Sequence, residues 1–192
     1  MEGRLNSSPL GRLGEGRKNL SIMNKYIDKS IKLTEHFSLS EMCSTSVETA
    51  DHNFPTQAVI TNLRRLCGWL EALRSRLNQD PTPSLPRGGS QVSAGKSDTP
   101  IYINSGYRSV AVNKAVGGVA TSNHLTGCAA DIRCTGLEQA LRYAAYLLDI
   151  SKERGENFDE LIIEHRVKTG NYWVHFAVRA SGNRRKVKIA PL

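Results

Sequence analysis

Aromatic residues are scarce in this 192-residue chain, at 6% against 39% hydrophobic residues overall. The core must therefore be mainly aliphatic, and at this length one domain can bury enough of it without covalent staples. No run of about 18 apolar residues occurs, which excludes a transmembrane helix. No internal repeat is visible, and 16 glycines with 7 prolines exclude collagen-like or low-complexity chains. The four cysteines, Cys43, Cys67, Cys128 and Cys134, contain no C-x-x-C pair. That argues against a zinc ribbon or a redox motif, and their irregular spacing suggests reduced, partly buried thiols rather than a disulfide framework. Acid is in short supply as well: 18 Asp and Glu face 26 Lys and Arg, a net charge of +8. The last segment carries Arg179, Arg184, Arg185, Lys186 and Lys188 with no acid among them. Such a surplus suits an acidic partner: nucleic acid, a membrane surface or an anionic wall polymer.

What is present divides along the chain. Residues 1–22 are polar and Gly-rich, with Arg4, Arg12, Arg17 and Lys18 but no apolar h-region, so they read as a disordered leader rather than a secretory signal peptide. Met23 is an alternative start. Residues 23–192 read as one domain. Ser38-Leu-Ser-Glu41 is a capping box opening a short helix. After Pro55 a long helix follows, with Val59, Ile60, Leu63, Leu66, Cys67, Leu70, Leu73 and Leu77 at helical spacing. Residues 79–99 are rich in Pro, Gly and Ser and are expected to form an exposed loop. Ile101–Ile103 is a short strand, Gly117-Gly118 a turn, and Ala129–Ile132 a buried strand. Thr135 and Glu138 suggest a second capping box before a helix with Leu137, Leu141, Ala144, Leu147 and Leu148 on one face. Leu161–Ile163 and Tyr172–Val178 form a hairpin through Lys168–Asn171. Helices followed by a small, mainly antiparallel sheet give an α+β fold.

Chemistry concentrates around two of the five histidines. His124 lies in Ser122-Asn-His-Leu-Thr-Gly-Cys-Ala-Ala-Asp131. Gly127 permits a tight reversal between a loop His and a strand Asp, and Ala129 and Ala130 let that strand pack closely beneath. His124 and Asp131 can therefore converge on one ion, with His175 as a third ligand from another strand. Two His and one carboxylate around zinc leave a fourth position for water, the open arrangement of catalytic sites. His36, His52 and His165 read as structural or surface residues. Cys128 has no His-Asn arrangement beside it and reads as a bystander.

The pattern Ser122-x-His124-x-x-Gly127-x-Ala129-x-Asp131 resembles the signature of the zinc D-Ala-D-Ala carboxypeptidase family, which includes dipeptidases and phage endolysins that cut L-Ala-D-Glu bonds. Ser105-Gly-Tyr-Arg-Ser109, Asn113, Val116-Gly-Gly118 and Trp173-Val-His175 are similar to that family too. A leader like Phe37-Ser-Leu-Ser-Glu41 and a helix like Asn62-Leu-Arg-Arg-Leu66 point to its short carboxypeptidase-like subgroup. The resemblance covers roughly residues 33–189. It implies a helix-on-sheet fold of the D-Ala-D-Ala peptidase type, zinc on His124, Asp131 and His175, and Arg108 as the group that binds the scissile carbonyl. It also implies a peptidoglycan peptide as substrate and action at the bacterial cell wall, reached without a signal peptide as a phage or prophage lysis protein would. A monomer is expected, with no membrane or nucleic-acid partner.

This sequence departs from the family at the general base, because Tyr172 stands three residues before His175 where many members have an acid or His. The candidate is Glu164. If His165 pairs with Tyr172 across the hairpin, Glu164 faces Trp173, Ile162 faces His175, and Glu164 shares a sheet face with His175. A slip of one residue would put it on the other face; the alternative is a solvated strand-end Glu paired with Arg166 or Lys168. Asp159 and Glu160 read as a solvated, charged strand start. Ser105, Ser122 and Asn123 read as turn or supporting residues, with Ser122 a candidate substrate contact. Trp173 either walls the substrate groove or packs beside the metal. The competing functions are a non-catalytic, zinc-stabilised wall-binding module, supported by the missing acid, and nucleic-acid binding through the basic tail.

Overall fold

Two amphipathic helices on one face of a five-stranded sheet make up the core of the computed structural model, which describes residues 31–79 and 99–191. The expected leader over 1–22, the alternative start at Met23 and nearly all of the expected 79–99 loop lie outside the described residues. In chain order the elements are α1 (Leu39–Met42), α2 (Gln57–Gln79), β1 (Ile103–Ser105), α3 (Val110–Ala115), a 3-10 turn (Asn123–Thr126), β2 (Ala129–Cys134), α4 (Leu137–Arg154), β3 (Glu160–Arg166), β4 (Asn171–Ala177) and β5 (Lys186–Pro191).

Helix α1 begins as its capping box requires, with Ser38 Oγ accepting the Glu41 N–H at 3.2 Å. Helix α2 follows the expected stripe. Leu63, Leu66, Leu70 and Leu73 are fully buried, each gaining about 1.5–3 kcal/mol of transfer free energy. Trp69, outside that stripe, is buried as well, its ring 5.3 Å from that of Phe176 on β4. Helix α4 departs from expectation at two points. Gly136, not Thr135, is the N-cap, without a side-chain bond; Gln139 Oε1 instead reaches back to the Thr135 N–H at 2.7 Å. The buried stripe is Ala140, Tyr143, Ala144, Leu147, Ile150 and Ser151, an i, i+3, i+4, i+7 set that leaves Leu137 and Leu141 exposed.

The sheet order is β1-β2-β4-β3-β5. The first three pairings are antiparallel and β5 lies parallel to β3, so the sheet is mainly antiparallel as expected, with one strand more than the sequence suggested. Strand β1 is displaced by two residues from the expected Ile101–Ile103 and carries an irregularity against β2. Alternation sorts the residues into two faces. Ala130, Ile132, Val174, Phe176, Leu161 and Ile163 join the helices in the hydrophobic core. Asp131, His175, Ile162 and Glu164 therefore point to the other face. Cys67, Cys128 and Cys134 are buried thiols. No helix among the described residues is long and apolar enough to cross a membrane.

Candidate metal centre

The site is assembled from the central strands and one turn. Asp131 lies opposite His175 in the β2–β4 ladder, and Ile162 lies on the other side of His175. His124 arrives from the 3-10 turn, whose first N–H groups are capped by Ser122: its Oγ accepts the His124 N–H at 3.3 Å. Gly127 ends the turn with φ +69°, and a Cβ there would lie 2.8 Å from Val59 Cγ1 and 2.9 Å from the Val59 carbonyl oxygen. Only glycine meets both demands.

One ligand atom each from His124, Asp131 and His175 lie within 4.8 Å of one another. The hydrogen bonds fix which nitrogens face inward. His124 Nδ1 is 2.6 Å from the Gly106 carbonyl oxygen, which can only accept, so Nδ1 carries the proton and Nε2 presents a lone pair. That Nε2 is 3.2 Å from Asp131 Oδ1. His175 Nδ1 is 2.9 Å from the same oxygen, while its Nε2 faces Glu160 Oε2 at 3.6 Å. Two imidazoles and one carboxylate oxygen thus converge, with an acceptor behind each ring, the support typical of metal-binding histidines. The electrostatics agree. Burial opposes ionisation of Asp131, yet when no metal is bound and the facing imidazoles are protonated, the charge and hydrogen bonds of His124 and His175 hold its carboxyl well below the usual range. Burial alone would lower His175, but its bonds to Asp131 and Glu160 push it up to about 9. The centre demands positive charge, and the donor set fits zinc.

Arg108 sits at the rim. Its Nη2 is 2.5 Å from Asp131 Oδ2, the oxygen the imidazoles leave free, and its Nε donates to Ser105 Oγ at 2.7 Å. Glu164 pairs with Trp173 in the register that the hairpin argument requires, with His165 opposite Tyr172 and Ile162 opposite His175. It lines a cavity of about 340 Å³ together with His175, Ser122, Asn123, Glu160 and Arg184. Burial and the Asp131 charge raise its pKa, against opposing effects of His175 and a Trp173 hydrogen bond. Trp173 does not line that cavity; the Arg166 guanidinium lies 5.9 Å from its ring.

Asp159 and Glu160 are not a solvated strand start. Asp159 is fully buried, accepting from Asn123 Nδ2 at 2.7 Å, from Arg184 Nε at 2.8 Å and Nη2 at 2.7 Å, and pairing with Arg179 at 3.0 Å. Glu160 pairs with Arg184 and Lys186, both at 3.0 Å, besides facing His175. The ion pair with His175, at 3.6 Å, contributes most to holding the Glu160 carboxyl far below its ordinary range. The residues read as a free basic tail are therefore partly neutralised beside the centre. A signal for Glu160 existed: strand alternation puts Glu160, Ile162 and Glu164 on one face. Asp159 and Arg184 meet only through the β3–β5 pairing, which no local pattern announces.

Residues 90–160 match the family model described as Peptidase M15. The matched segment contains Arg108, His124, Asp131 and Glu160, while Glu164 and His175 lie beyond it. No curated protein matches the chain.

Proposed function

We propose, from the match of residues 90–160 to the Peptidase M15 family model and the resemblance to zinc D-Ala-D-Ala carboxypeptidases, that the chain is a zinc-dependent hydrolase of an amide bond in peptidoglycan stem peptides. The observation that carries this reading is the convergence of His124 Nε2 and His175 Nδ1 on one oxygen of Asp131. Zinc, when bound by these three residues, supplies a Lewis acid that acidifies water and polarises a carbonyl. Glu164, half-buried on the face that carries His175, is the general base that takes a proton from water and passes it to the leaving amine. Arg108, fixed by Asp131 and Ser105, offers its remaining N–H groups to the carbonyl oxygen as negative charge develops there. Ser122 contributes a hydroxyl to the substrate cavity, and Trp173 stands opposite Glu164 across the β3–β4 pairing.

The bond is of the D-Ala-D-Ala carboxypeptidase or the L-Ala-D-Glu endopeptidase type. The net positive charge suits a carboxylate-rich wall, with the chain acting there as a monomer, in the manner of a phage or prophage lysis protein. A non-catalytic wall-binding module drew its support from the missing acid before His175, and two acids on the metal-centre face, Glu160 and Glu164, remove that support. Nucleic-acid binding is disfavoured because Arg179, Arg184 and Lys186 already pair with Asp159 and Glu160. The test is digestion of defined muropeptides by the zinc-loaded protein, read by mass spectrometry. Loss of a terminal D-Ala or scission between L-Ala and D-Glu is expected. An intact panel would favour the binding module.

A further inference from the structure

We infer that Asn53 is the positioning residue for Arg108. Loop 43–55 runs beside the Arg108 segment, and its last turn holds two consecutive non-glycine residues in left-handed backbone, His52 at φ 49° and Asn53 at φ 53°. Such backbone is unfavourable for residues with a Cβ and persists where surrounding contacts hold it. The contacts at Asn53 are specific. Its side-chain amide donates to the Tyr107 carbonyl at 3.1 Å and to the Cys43 carbonyl at 2.9 Å, while its Oδ1 accepts the Ser109 N–H at 2.7 Å. The two peptide groups flanking Arg108 are thus tied to one side chain that is 2% exposed. Asp51 Oδ1 in turn accepts the Asn53 N–H at 3.1 Å.

The chemistry selects asparagine. The position requires two donors and one acceptor on a short side chain and a residue that tolerates the left-handed region. Aspartate would turn a carboxylate oxygen toward two carbonyls, and glycine would keep the backbone but lose all three bonds. The rest of the segment is held from other sides: the Tyr107 N–H donates to the Met42 carbonyl at 2.7 Å and the Arg108 N–H to the His124 carbonyl at 3.1 Å. A Cβ on Gly106 would overlap the Met42 carbonyl oxygen, so the segment can lie flat against α1 only with glycine there. Asn53 supplies the clamp on the side facing loop 43–55 and so sets where the guanidinium meets Asp131 and Ser105.

The catalytic consequence rests on the role given to Arg108 above; the positioning itself does not. The test compares wild type with Asn53→Gly, which preserves the backbone, and Asn53→Asp, which preserves the shape. The first readout is the Arg108 Nε–H resonance, assigned by its loss in Arg108→Lys. Its exchange with water is expected to quicken about tenfold or more in both variants as the bond to Ser105 loosens. The second is kinetic: kcat on the cleaved muropeptide falls roughly a hundredfold, with KM changed by less than about threefold. In an Arg108→Ala background the same changes at Asn53 should cost nothing further. An unaltered Arg108 Nε–H resonance in Asn53→Gly overturns the inference, whether or not the wild type cleaves any muropeptide. Wild type without activity overturns the proposed function alone, and the resonance still decides the positioning.

Discussion

Asp159 gives the sharpest prediction about stability, because its carboxylate joins β3, β5 and the turn that bears His124. Asp159→Ala removes acceptors from Asn123 Nδ2, from Arg184 through its backbone N–H, Nε and Nη2, and from Arg179 Nη2. Removing one partner of a buried ion pair costs about 3–5 kcal/mol. The Arg179 and Arg184 side chains are 36% and 49% exposed and can rehydrate, which places the expected loss at the lower end, about 3 kcal/mol. For a chain of this size that lowers Tm by about 6–12 °C. The assay is urea and thermal unfolding of both proteins at several pH values. Burial opposes ionisation of Asp159, yet the bonds from Arg184 and Asn123 hold its pKa below the ordinary value. A depressed carboxylate contributes stability that is complete above its unfolded pKa, about 3.9, and is lost as pH falls through the lower folded value. The difference between the proteins should therefore be flat from about pH 6 to 8 and shrink below about pH 4. A loss under about 1 kcal/mol, or one unchanged at acid pH, would refute the buried-anchor argument.

Two further predictions concern the centre. Glu164→Gln should keep the fold and the metal but lower kcat about 10²–10⁴-fold. With Glu164 as the proposed base in its ionised form, the wild-type rate should fall as pH drops through the Glu164 titration. A retained acid limb in Glu164→Gln would assign that titration elsewhere. Glu160→Gln keeps an acceptor for His175 Nε2 but removes the charge behind it, so zinc affinity measured by competition with a chromophoric chelator should fall about 10- to 100-fold. Unchanged affinity would show that Glu160 serves only Arg184 and Lys186.

Much of the metal centre could be read from local pattern. The spacing of His124, Gly127 and Asp131 dictates a turn and a strand, and alternation in the hairpin fixes the shared face of Glu164 and His175 once His165 is set opposite Tyr172. What escaped depends on distant pairing. Lys186-Val-Lys-Ile189 alternates as a strand should, but no acid stands near it in sequence, and Lys186 meets Glu160 only when β5 lies beside β3. Asn53 gave no sign of its role, since its partners at Tyr107 and Ser109 lie 54 and 56 residues away. In α4, Leu137 and Leu141 drew the expected stripe toward themselves, whereas Tyr143 and Ile150 carry the buried side.

In the proposed reaction, hydrolysis depends on zinc held by His124, Asp131 and His175. It is tested most directly by stripping the purified protein with chelator and titrating zinc back while muropeptide cleavage is followed. Cleavage should vanish on stripping and return in proportion to zinc, saturating at one ion per chain, and it should not return in His175→Ala. Full cleavage by the stripped protein, or restored cleavage in His175→Ala, would rule out zinc-dependent hydrolysis at this centre.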